Sequence, residues 1–117
     1  MEGLERGTDQ ENRMQVAIAS TDGETVNEHF GRADRFYIYD RTAAGMTLLF
    51  VRTVTPLSTG DPDHAFDPKR MAAALAPLKG CERVYCTRIG ERPRQELEKA
   101  GFEVVAASGP IADLTDR

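Results

Sequence analysis

The apolar residues of this chain fall into short runs separated by polar, glycine-containing stretches, and the period of the runs changes along the sequence. Val16-Ala17-Ile18-Ala19 is unbroken apolar chain, the pattern of a strand covered on both faces, and predicts a first strand over Gln15–Ser20. Thr21-Asp22-Gly23 supplies turn chemistry. Phe36 to Tyr39 is aromatic and β-branched and predicts a second strand over Arg35–Asp40. The polar loop between them, carrying His29, is about fifteen residues long, a length that in a compact domain points to a functional loop. Arg41–Gly45 has hairpin length and leads into a third strand over Met46–Val54.

Past Val54 the pattern changes. Thr55–Phe66 holds Pro56, Gly60, Pro62 and His64 and reads as an exposed loop. Asp67 as N-cap and Pro68 at the first helical position open a helix whose stripe is Met71, Ala72, Leu75 and Leu78. Pro77 should bend or end that helix early. Arg83–Cys86 reads as a fourth strand, Glu91–Ala100 as a second helix with Leu97 and Ala100 inward, and Glu103–Ala106 as a fifth strand. Gly101 fits the residue after the helix, with Phe102 packing back on Leu97. Ser108-Gly109-Pro110 starts a final helical turn through Ile111 and Leu114. The order β-loop-β-β-α-β-α-β-α makes this an α/β fold: a mixed sheet of about five strands, with an antiparallel hairpin, right-handed crossovers and helices packed on it.

Composition narrows the function classes. A chain of 117 residues, 40% hydrophobic and 29% charged, is expected to form one domain over residues 14–117. Met1–Arg13, polar apart from Leu4 and Met1, is expected to be a disordered tail. A net charge of −4 offers no drive toward nucleic acid or anionic membrane, so neither is expected as a partner. No apolar run reaches the roughly 20 residues needed to span a bilayer, and no signal peptide is apparent, so the expected compartment is the cytoplasm. Cys81 and Cys86 alone cannot build a structural zinc site, and a reducing cytosol disfavours a disulfide.

In such sheets ligands collect beyond the carboxyl ends of the parallel strands. The turn Ser20–Gly23, the His29 loop and Cys86-Thr87-Arg88-Ile89-Gly90 are therefore expected at one rim, together with the N-terminus of the second helix, whose free N–H groups favour an anion. Arg32, Arg35, Arg88 and Arg92 add positive charge there, and a basic rim on an acidic chain points to an anionic ligand. Candidate ligand-binding residues are His29, Ser20, Asp22, Gly31, Arg32, Cys86, Arg88 and Gly90, with His29 and Cys86 as candidate metal ligands. Each has a plainer reading: His29 as a capping or surface histidine, Cys86 as a small core residue, Gly31 and Gly90 as backbone devices, the arginines as a solvated face. Cys81, before the fourth strand, belongs at the opposite end of the sheet. His64 reads as a solvent-exposed residue of its loop. No nucleophile elbow, phosphate loop or Gly-x-Gly-x-x-Gly follows a strand, and Val16–Ala19 carries no acid for a two-metal nuclease, so no enzymatic activity is expected.

Five segments together resemble a known family: Val16-Ala17-Ile18-Ala19-Ser20-Thr21-Asp22-Gly23, His29-Phe30-Gly31-Arg32-Ala33, Phe36-Tyr37-Ile38-Tyr39, Arg88-Ile89-Gly90 and Leu97-Glu98-Lys99-Ala100-Gly101-Phe102-Glu103-Val104-Val105. In this order and spacing, over Met14 to Leu114, the chain is similar to the dinitrogenase iron–molybdenum cofactor biosynthesis family. That family includes NifX- and NafY-type carriers and a domain fused to NifB proteins. The resemblance implies a ribonuclease H-like fold without nuclease activity. It also implies binding or carriage of an iron–sulfur or iron–molybdenum cofactor, or a precursor, in nitrogenase cofactor assembly. Expected partners are the metallocluster, cofactor-assembly proteins or apo-dinitrogenase, with the chain a monomer or weak dimer. The histidine of the His-Phe-Gly motif, here His29, is the cluster ligand the resemblance implies. Two other readings stand beside it: a protein-interaction or regulatory domain of the same fold, and a hydrolase of phosphorylated substrates using the basic rim.

Overall fold

In a computed structural model, residues 14–42, 45–54 and 68–116 are described. The polar N-terminal segment, the Thr55–Phe66 loop with His64, and the Asp67 cap lie outside these residues. Strand β1 (Met14–Ala19) is the middle of a five-stranded sheet of order β4-β3-β1-β5-β6. It pairs antiparallel with β3 (Arg35–Thr42) and parallel with β5 (Arg83–Cys86). β3 continues antiparallel to β4 (Gly45–Thr53), and β5 runs parallel to β6 (Glu103–Ala106). The expected mixed sheet is present, and β5 and β6 occupy the ranges their sequences predict.

Strand alternation sends successive side chains to opposite faces and so divides the core in two. Ala17 and Ala19 of β1, Phe36 and Ile38 of β3, and Val84 and Cys86 of β5 pack with Met71, Ala74, Leu78 and Leu97. The last four belong to helix α1 (Pro68–Leu75), the 3-10 turn Ala76–Leu78 and helix α2 (Glu91–Lys99). On the other face, Val16, Ile18, Tyr39 and Tyr85 pack with Val26, Ile111 and Leu114. Because all four residues Val16–Ala19 have no exposed surface, the unbroken apolar run is what a central strand between two layers requires.

The second layer is where the structure departs from the sequence reading. Both helices lie on one face. The opposite face is covered by a two-stranded ladder, β2 (Thr25–Val26) with β7 (Gly109–Pro110), and by 3-10 turns over Ile111–Asp116. Gly109 and Pro110, read as the start of a helical turn, instead pair with Val26 and Thr25. The ladder is extended by the Ile111 N–H donating to the Glu24 carbonyl at 2.8 Å.

Helix ends follow the expected chemistry. α1 stops at Leu75 and tightens into the 3-10 turn that contains Pro77. α2 ends in a Schellman arrangement: the Phe102 N–H donates to the Leu97 carbonyl (3.0 Å) and the Gly101 N–H to the Glu98 carbonyl (3.0 Å). Gly101 takes the positive φ of +98° that this requires, and Phe102 packs against the core holding Leu97.

Candidate functional site

The His29 loop reaches the C-terminal end of β5 through backbone hydrogen bonds on both sides of the histidine. The Thr87 N–H donates to the Glu28 carbonyl (3.0 Å), and the Phe30 N–H donates to the Arg88 carbonyl (2.9 Å). Phe30 is the anchor. It is 2% exposed, packs in the helix-side core, and its ring lies 5.7 Å from that of Phe36. With Phe30 buried, His29 stands at the head of the 3-10 turn Phe30–Arg32 as its N-cap residue, half-buried and in extended conformation. The His29 backbone is fully used: its N–H donates to Glu28 Oε1 (2.8 Å) and its carbonyl accepts from the Arg32 N–H (3.2 Å). Its imidazole makes no hydrogen bond or ion pair with any described residue.

A cleft of about 400 Å³ opens at this rim, lined by His29, Gly31, Arg32, Arg88, Ile89 and Gly90. Gly90 is the N-cap of α2 and gives it no side-chain cap, so the positive end of the helix dipole begins at this rim. The Arg32 and Arg88 guanidiniums, both exposed, have no partner among the described residues. The other two arginines expected here are engaged elsewhere: Arg35 pairs with Asp34 (3.1 Å) and Arg92 with Glu96 (3.5 Å). The cleft therefore combines an imidazole and two cations without partners among the described residues, and the positive end of a helix. Such a set can ligate a metal through one nitrogen while neutralising negative charge on the rest of the ligand.

Three of the expected site residues do not line this cleft. Ser20 and Asp22 hold the turn after β1. Ser20 Oγ accepts from the Gly23 N–H (2.9 Å) and bonds Asp22 Oδ1 (3.0 Å), while Asp22 Oδ1 accepts the Glu24 and Thr25 N–H groups, each at 2.9 Å. Those backbone donors at Glu24 and Thr25 pull the Asp22 carboxyl down to about 2. A carboxylate so occupied builds the loop and has little left for a ligand. Cys86 is fully buried in the helix-side core, and burial pushes its thiol up to about 11. At neutral pH it is a protonated, apolar-packed thiol, the opposite of a metal-binding thiolate. Cys81 lies at the other end of β5 as expected, where the Gln15 side-chain amide donates to its Sγ (3.7 Å). Among the described residues no three His, Cys, Asp or Glu side chains converge on a metal position.

Two residues near the cleft were not among the expected site residues, though Thr87 lies in the stretch expected at this rim. Asn27 pins the loop to the end of β1, its Oδ1 accepting from the Thr21 N–H and its Nδ2 donating to Thr21 Oγ1, both at 2.9 Å. Thr87 has a buried hydroxyl with no hydrogen-bond partner in the described structure. Short polar residues at strand-to-loop junctions are the available signal, and their spacing does not reveal the partner.

Residues 12–117 match the family model described as dinitrogenase iron-molybdenum cofactor. The chain belongs to this family. Within it, the chain is 41% identical over 103 residues to the FeMo cofactor biosynthesis protein NifB of Klebsiella pneumoniae, covering 85% of this chain and 22% of that protein. It is 33% identical over 88 residues to the protein of the same name from Azotobacter vinelandii, covering 75% and 18%. This family member thus spans less than a quarter of the length of those relatives. Among solved structures, the crystal structure of PH0822 is similar with a TM-score of 0.61 and 28% identity, over 87% of this chain and 85% of that one.

Proposed function

We propose that this chain binds and hands on an iron–sulfur or iron–molybdenum cofactor, or a precursor of it, in cofactor assembly, without catalysing a reaction. The observation that carries this reading is the unpartnered His29 imidazole on a cleft shared with Arg32, Arg88 and the uncapped start of α2. One imidazole supplies one bond to an exposed iron, and the two guanidiniums supply charge-assisted hydrogen bonds to the anionic remainder, beside the positive end of the α2 dipole. Few protein bonds suit a carrier, because the cargo must leave again. Relatives named as FeMo cofactor biosynthesis proteins support the cargo class. A ribonuclease H-like assignment belongs to the same proposal, supported by the β4-β3-β1-β5-β6 order with β4-β3-β1 antiparallel and β1-β5-β6 parallel.

The test is anaerobic incubation with isolated iron–molybdenum cofactor, followed by desalting and absorption spectroscopy. Wild type should retain the charge-transfer absorption, and His29→Ala should lose at least tenfold in retention. Equal, negligible retention by both proteins would refute the reading.

A further inference from the structure

The strongest feature outside the cleft is the free edge of the sheet. β4 is an edge strand of nine residues, Gly45–Thr53, and four successive large apolar residues stand exposed on it: Leu48 (48%), Leu49 (40%), Phe50 (38%) and Val51 (45%). They are the exposed large hydrophobic residues among those described. Exposed edges are ordinarily blunted by charge or proline. β4 carries no acid, no lysine and no proline, and its one cation, Arg52, lies folded over Phe50 at 4.7 Å from the ring centre. The register slip opposite Ile38/Tyr39 leaves Leu49 unpaired with β3, so apolar side chains project on both sides of the edge.

We propose that β4 pairs antiparallel with β4 of a second copy of this chain, joining two five-stranded sheets into one across a two-fold axis near Leu49–Phe50. Three observations select this occupant. First, the patch is a continuous aliphatic and aromatic run, and a second copy of the same run matches it in composition, whereas Met1–Arg13 and Thr55–Asp67 are rich in charged, polar, glycine and proline residues. Second, the sheet's other edge is a poorer match: β6 has four residues against nine in β4, and a head-to-tail contact gives a ring or a filament, whereas β4 on β4 closes as a two-fold dimer. Third, self-pairing about Leu49–Phe50 sets Leu48, Leu49, Phe50 and Val51 against one another and leaves the two Arg52 guanidiniums at opposite ends of the ribbon, so no like charges meet. Four part-exposed side chains offer well under the roughly 800 Å² per partner of a standard interface, so the dimer is weak and transient. The surface is independent of what the cleft binds.

Sedimentation equilibrium of the full chain from about 10 μM to about 1 mM tests this. The wild-type mass should rise toward that of a dimer, and amide exchange of residues 47–53 should slow in step. Val51→Lys and Leu48→Lys, both at exposed positions, should each weaken association at least tenfold with the circular dichroism spectrum unchanged, and His29→Ala should associate like wild type. A wild-type monomer throughout the range, growth past the dimer, or a dimer that survives both lysine substitutions would overturn the proposal.

Discussion

Single residues in this domain do opposite things according to the direction their side chains take. Cys86 and Arg88 stand two apart, yet one is sealed in the core and the other lines the cleft. With its thiol raised to about 11 in the fold, Cys86 favours the native state up to the ordinary thiol range near 9, and that contribution is lost as pH rises from there toward 11. Denaturant melts should show this alkaline loss in wild type and less of it in Cys86→Ala, which should also retain cluster like wild type. Asp22 works at the other end of the scale. Its carboxyl is held near 2, so its contribution is present above the unfolded value of 3.8 and vanishes as pH falls from there toward 2. Asp22→Asn should flatten the acid limb of the stability profile without altering cluster retention. Thr87→Val removes an unpartnered buried hydroxyl and should raise stability by about 1 kcal/mol in the same melts.

At the scale of elements, legibility tracked punctuation. β5 and β6 lie between glycines and a helix end, and the sequence marks them well. The hairpin and both helices are likewise written in turn residues, in Pro77 and in the Gly101-Phe102 end. β2 and β7 were not legible, because two-residue ladders carry no period and Pro110 resembles a helix start. The site was half legible for a related reason. The rule that ligands gather beyond the parallel strands placed His29, Arg32, Arg88 and Gly90 on one rim. It could not tell which way Ser20, Asp22 and Cys86 point, since that depends on strand alternation and on turn hydrogen bonds formed only in the fold. The turn after β1 also packs closely on the strand beside it. Gly23 has φ +76°, and a Cβ there would meet the Tyr37 ring at 2.6 Å. Gly23→Ala should therefore cost at least about 1–2 kcal/mol, read as a lowered urea midpoint.

For the whole molecule, the division of labour is between a helix-backed layer that presents the cleft and a second layer, built from the chain's turns and C-terminal segment, that seals the sheet. No helix among the described residues is long and apolar enough to cross a membrane. The net charge of −4 coexists with a cleft whose two arginines have no partner among the described residues, so retention of an anionic cluster should weaken as salt is raised, and more steeply in wild type than in the Arg32→Ala/Arg88→Ala double variant. All of this turns on whether the His29 nitrogen is bonded to iron. Pulsed electron paramagnetic resonance of the paramagnetic cluster, bound to protein carrying ¹⁵N-labelled histidine, measures that bond directly. A ¹⁵N hyperfine coupling that is present in wild type and absent in His29→Ala is the predicted result; a bound cluster with no such coupling, or a coupling unchanged by the substitution, would contradict it.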